Sequence, residues 1–179
     1  SHAPITVMAD HMHDAGEFMV SYRVMGMDMN EARSGQTILT ESTLFNSYMM
    51  IPVSMKMTMH MMGAMYGVSD DITLMAMLPY LNKEMEMKHK MTGAMYTKSS
   101  GLGDAKISAM YRIYEQHGTN LHFTTGVSLP LGSIEVKNAT SMSSSQQLAY
   151  GMQLGSGTVD GILGGTLTQQ FDMFSFGLQ

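Results

Sequence analysis

The sequence has no cysteine and no tryptophan, only four prolines, and charged residues at just 14% of positions. Without cysteine there is no disulfide scaffold, no thiolate metal centre and no cysteine nucleophile. Few charges together with 44% apolar residues argue against a disordered chain, which combines high net charge with little apolar content. Ten basic residues scattered along a chain of net charge −5 form no phosphate-neutralising stripe, so no nucleic-acid partner is expected. No apolar run is long enough for a transmembrane helix. A membrane β-barrel stays allowed, because its strands never create such a run. Ser1-His2-Ala3-Pro4 shows neither a basic n-region nor an apolar h-region. An exported protein whose signal peptide has been removed is therefore expected.

What the sequence has in excess is methionine, 24 of 179 residues, together with 18 glycines. Its periodicity is two, not 3.6. In 17–29 the even positions Phe18, Val20, Tyr22 and Val24 are apolar, while the odd ones mix Ser21 and Arg23 with Met. In 72–81, Ile72, Leu74, Ala76, Leu78 and Tyr80 oppose Thr73, Met75 and Met77. In 104–114, Ala105, Ile107, Ala109, Tyr111 and Ile113 oppose Asp104, Lys106, Ser108, Met110 and Arg112. Segment 121–129 alternates likewise, 159–168 and 173–178 do so more weakly, and 55–66 completes a set of seven strands. Each is about as long as a tilted membrane-spanning strand needs to be.

Short polar turns at 67–71 and 115–120 alternate with longer connections at 30–46, 82–100 and 132–157. One tight rim and one elaborate rim are what an outer-membrane barrel has. The expected fold is all-β, an antiparallel up-and-down meander forming a β-barrel or its N-terminal part over 17–179, after a His/Met segment at 1–16. A soluble antiparallel sandwich would use the same hairpins.

Three ordered motifs carry a family resemblance: Ser99-Ser100-Gly101-Leu102-Gly103-Asp104, Gly126-Val127-Ser128-Leu129-Pro130-Leu131-Gly132, and Leu154-Gly155-Ser156-Gly157-Thr158-Val159-Asp160. With Asp10-His11-Met12-His13 and the many methionines, they resemble a Met-rich subgroup of bacterial outer-membrane transporter-like proteins of the meta-pathway-of-phenol-degradation type. The resemblance implies an outer-membrane β-barrel surrounded by lipid, passing small hydrophobic molecules. Such proteins are typically longer, and bacterial single-chain barrels have even strand numbers. An odd count implies missing C-terminal strands or closure by further copies. Unpaired edges in lipid cost several kcal/mol per unsatisfied group.

In that barrel Arg23, Asp104, Lys106, Arg112 and His122 are expected to line the lumen. Of the methionines, 21 lie at or before residue 110. Thioethers are soft ligands suited to Cu(I) or Ag(I), so Met25, Met27, Met29, Met57, Met59, His60, Met75, Met77, Met85, Met87 and His89 form a candidate metal set. His11 and His13 form a weaker pair, too few for a closed site. The competing reading is that Met is adaptable apolar filler. Alternation in 55–61 sets Met55, Met57, Met59 and Met61 against Lys56, Thr58 and His60, which would turn those methionines toward lipid. No enzyme is expected: Asp70-Asp71 reads as a turn, and Ser141–Ser145 lacks a nucleophile elbow. Three functions remain open: a channel or transporter, a copper- or silver-binding exported protein, and a structural protein assembling through its sheet edges.

Overall fold

The computed structural model describes residues 12–30, 33–34, 36–91, 93–140, 143–170 and 175–179. In chain order the elements are β1 (Phe18–Met29), β2 (Arg33–Ser34), β3 (Thr37–Ile38), α1 (Glu41–Ser47), β4 (Met50–Ser69), β5 (Ile72–His89) and β6 (Gly93–Leu102). There follow β7 (Ala105–Gln116), β8 (Thr119–Leu129), β9 (Lys137–Thr140), β10 (Ser143–Gln147), a 3-10 turn at Tyr150–Met152, β11 (Asp160–Gln170) and β12 (Ser175–Leu178). The main sheet is an antiparallel meander ordered β1-β4-β5-β7-β8-β11-β12, curled into a half-barrel. The sheet is all-β and up-and-down, as the alternation predicts. Among the described residues β1 and β12 each have one partner strand.

Long strands pair as hairpins because short turns hold their register. Asp70-Asp71 closes β4–β5 and His117-Gly118 closes β7–β8, with both turn residues of the latter at positive φ (52° and 78°), the geometry that matches strand twist in a tight hairpin. Segment 82–100, expected to be a connection, is instead the upper part of β5 and most of β6. β5 pairs β7 through Ile72–Met77 and β6 through Tyr80–His89, so β6 and β7 occupy one sheet position in succession. The lower alternation of 72–81 was legible; above it the outward residues become Asn82, Glu84 and Glu86, and the apolar signal vanishes while the hydrogen-bond ladder continues. The connection 30–46 carries β2, β3 and the start of α1, a helix too short to show a period. Lys88 ties that helix to the β5 tip by a 2.6 Å ion pair with Glu41.

The two faces of the sheet are inverted relative to a water-soluble layer. Pairing puts Val20, Ala64, Ala76, Ile107, Val127 and Gly161 in one outward row, and the outward residues include Val20 at 65% exposure and Leu163 at 77%. The inward face buries hydroxyls and imidazole: Thr73 and Thr166 are 0% exposed and His122 2%, beside Ser108, Met110, Thr124 and Ser128. A single curled layer covers only its concave side, so the buried set lies inside the curl.

The N-terminal approach closes the lower end of that concave side. The His13 backbone N–H donates to the Thr73 hydroxyl at 3.0 Å, and Gly16 N–H to the Gly67 carbonyl at 2.8 Å. This closeness requires glycine at 67, where a Cβ would overlap the Asp14 carbonyl. Gly67→Ala is expected to displace segment 13–16 at a cost of about 1–3 kcal/mol, read as a lowered midpoint in denaturant; an unchanged midpoint would refute this packing.

Candidate functional site

Register decides which methionines share a face. Met29 pairs Met55 and Met55 pairs Met85, so three thioethers stand side by side on β1, β4 and β5. Below them run Met27 beside Met57, Met25 beside Met59, and Met65 beside Met75. All have inward parity. The expectation that Met55, Met57, Met59 and Met61 turn toward lipid is therefore overturned: Met61 and Met65 are buried, and it is Lys56, Thr58 and His60 that point outward.

The physical reason is strand length. At about 3.3 Å per residue, the 20 residues of β4 exceed the hydrocarbon thickness of a bilayer roughly twofold. Its outward face is apolar only in the lower half, at Met62, Tyr66 and Val68. In the upper half the outward rows become Gly26-Thr58-Asn82-Ser100 and then Asp28-Lys56-Glu84-Lys98, a ladder of alternating charge across four strands. Lys98 and Glu84 close its end at 2.6 Å. Polarity outside does not mean that the opposite face meets lipid.

His60 accordingly leaves the metal set. It lies on the face away from Met57 and Met59, with its Nδ1 2.6 Å from the Tyr22 hydroxyl and the two rings stacked. His89 keeps inward parity with Met85 and Met87, at the hairpin tip, where its Nδ1 accepts from the Met91 backbone N–H at 3.2 Å. His13 lies 3.3 Å from Glu17 at the other end of the curl, and His11 lies outside the described residues. Among the described residues no three His, Asp or Glu side chains cluster as a metal site.

Of the residues expected in a lumen, Arg23, Lys106, Arg112 and His122 have inward parity. Arg112 is held at the lower end by Glu115 and by Asp14 at 3.7 Å. With His122 and Met12 it borders a small cavity of about 90 Å³. Asp104 has a different place. It sits at the β6–β7 break, and its two oxygens accept from Gly132 N–H at 3.1 Å and Ser156 N–H at 2.7 Å.

Segments 99–104, 126–132 and 154–160 thus meet around one carboxylate. Gly132 and Gly155 are in backbone contact, and a Cβ on Gly155 would lie 2.5 Å from both the Asp104 carboxylate and the Gly132 carbonyl. Leu154 N–H donates to Ser133 O at 3.0 Å, and the Leu154 side chain lies over Gly101. The cover is fastened to the upper wall at two more points. Lys83 Nζ donates to the carbonyls of Gly151 (3.0 Å) and Gln153 (2.6 Å), and the Ser99 hydroxyl donates to Met152 O at 2.7 Å.

Beneath this cover is a second, larger cavity of about 380 Å³. Met29, Met55, Met85 and Met87 line it, together with Pro52, Val53 and Ser54 of β4 and Ala149 and Gly151 of the cover. Met55 is the residue that the alternation reading omitted from the metal set. No signal within β4 alone could have restored it, because its neighbours in the site come from β1 and β5.

No protein-family profile matches the chain, and no curated protein matches it.

Burial by itself would raise the Asp104 pKa. The Ser156 backbone N–H and hydroxyl, the Gly132 N–H and the Lys106 ammonium outweigh it and hold the carboxyl below its ordinary value. A depressed pKa stabilises the fold fully above the ordinary aspartate range and loses that contribution as pH falls through the folded value. Protease cleavage within 130–159 is therefore expected to increase below about pH 4. Asp104→Ala should raise cleavage at neutral pH and abolish this acid dependence, at a cost of about 1–2 kcal/mol given the carboxylate's partial exposure. Identical digestion of both proteins across pH would refute the clamp.

Proposed function

We propose that the chain forms the wall of a bacterial outer-membrane β-barrel that passes small, mainly hydrophobic solutes. One observation carries this reading: the lower strands expose Val20, Tyr22, Ile107, Phe123 and Leu163 on one face and bury the hydroxyls of Thr73, Ser108, Thr124 and Thr166, beside methionine, on the other. A water-soluble sheet of this composition would bury Val20, Ile107, Phe123 and Leu163 and hydrate Thr73 and Thr166. Lipid outside and a solute path inside give the opposite sign to both faces, with alternating strands as the means. Contiguous apolar surface of this kind marks a membrane or partner contact.

The dimensions support the same reading. On β5 the outward apolar run from Ile72 to Tyr80 covers nine residues, within the about 9–11 that a tilted strand needs to cross. Tyr22 and Tyr80 stand near its upper limit, where aromatic side chains favour the interface. The tight turns at 70–71 and 117–118 lie at the lower rim and the long connections 30–49 and 130–159 at the upper one, an asymmetry that supports an upper rim facing the outside of the cell. Among the described residues β1 and β12 pair on one side only, and in lipid the backbone groups of their other sides need partners. Further strands or a second copy would supply them, and native mass in detergent separates the two.

The membrane-extracted protein is expected to migrate faster in gels before boiling than after, and to raise conductance when added to a planar bilayer. Recovery in the soluble fraction with no heat-dependent mobility would sink the proposal. Substitution separates the faces: Ile107→Arg should cost about 2–4 kcal/mol of folding stability in bilayers, whereas Lys106→Arg, one residue away and inward, should leave stability nearly unchanged. Equal effects of the two would also count against a lipid-facing outer surface.

A further inference from the structure

We propose that the upper, methionine-lined cavity is a binding site for a soft monovalent cation, Cu(I) or Ag(I). The inference goes beyond the channel reading and does not depend on it. Met29, Met55 and Met85 are direct cross-strand partners on one face, where neighbouring Cβ atoms lie about 4.5–5.5 Å apart. Met87, two residues along β5, shares the parity of Met85 and borders the same cavity. A methionine side chain has three rotatable bonds, so sulfurs from three adjacent strands have the reach to converge on one ion.

Donor chemistry selects the ligand. The lining residues supply thioethers and aliphatic carbons, with no carboxylate or imidazole among them, and the one lining hydroxyl, that of Ser54, donates to Glu86 at 3.5 Å. Hard cations, which need oxygen, and zinc, which favours imidazole and thiolate, find no suitable set here, whereas thioethers suit soft monovalent ions. A merely apolar pocket would be equally well built from leucine. Lys83, the cross-strand partner of Met57, has its ammonium engaged by the carbonyls of Gly151 and Gln153 in the cover. Met29 is 40% exposed and Met85 7%, so the site has an open side and a dry side. From it the inward pairs Met27–Met57 and Met25–Met59 descend toward Met61, a series of soft donors spaced about 6.6 Å along each strand.

The test is silver titration of the full chain, folded in detergent and in chloride-free buffer, followed by calorimetry and native mass spectrometry. Saturable Ag(I) binding tighter than micromolar is expected. The triple variant Met29→Leu, Met55→Leu, Met85→Leu keeps volume and apolarity and should bind at least tenfold more weakly, while an apolar fluorescent probe binds both proteins alike. Equal silver affinity in the two proteins, or none below micromolar in the unaltered chain, overturns the site. Should the triple variant fail to fold, X-ray absorption of the silver-loaded unaltered chain decides: three or four sulfur neighbours support the site, and a nitrogen or oxygen shell refutes it. Silver bound through sulfur in a chain without heat-dependent mobility would keep this site and remove the channel. A heat-shifting chain indifferent to silver would do the reverse.

Discussion

The register of β4 between β1 and β5 is the constraint on which the rest of the structure depends. Side chains on a strand alternate with period two, so a slip of one residue would exchange its entire inward and outward sets. Such a slip would turn Met55, Met57 and Met59 to the outward face that carries Asp28 and Glu84, and bring Lys56 and His60 inside the curl. The pairing that is formed avoids this from Met55 to Tyr66, the stretch of β4 held in unbroken register by both neighbours. It is fixed at the lower end by the Asp70-Asp71 turn and by the Gly67 contact with the N-terminal approach. At the upper end the charge ladder from Asp28 to Lys98 favours the same alignment, because it sets opposite charges against one another across each strand pair.

Given that register, the molecule divides by height. The lower part presents an apolar outer face over a buried polar inner one, and the upper part reverses the outer face while the inner face stays rich in methionine. The connection that crosses the upper inner face is not left to its own stability. Asp104 joins its two limbs, Lys83 and Ser99 fasten its middle, and the glycines at 132 and 155 allow the limbs to touch. A carboxylate accepting backbone N–H groups makes charge-assisted bonds, stronger than neutral ones, which suits it to hold a segment with little regular structure. The cavity exists because that cover is held above the methionine row and not collapsed onto it.

The channel reading and the soft-cation site draw on different parts of the same wall. The first rests on the lower outer surface and the second on the upper inner one. They are compatible in space, since the cavity lies above the apolar outer run, on the side of the long connections. A solute taken up there would meet the descending methionine pairs on the inner face.

The sequence by itself determined the secondary-structure type, the antiparallel meander and the faces of β1, β7, β8 and the lower part of β5, though not those of β4, because period-two alternation between apolar and polar residues is a local property. It also marked the tight turns and the wealth of methionine. The upper halves of β4, β5 and β6 were not legible, because once both faces stop differing in polarity, alternation carries no signal and only the hydrogen-bond ladder defines the strand. The tertiary structure alone decided that Met55 joins Met29 and Met85, that His60 points away from them, and that Asp104 is a clamp between three distant motifs. Each of these is a relation between strands far apart in sequence, set by register and curl, and no single segment contains it.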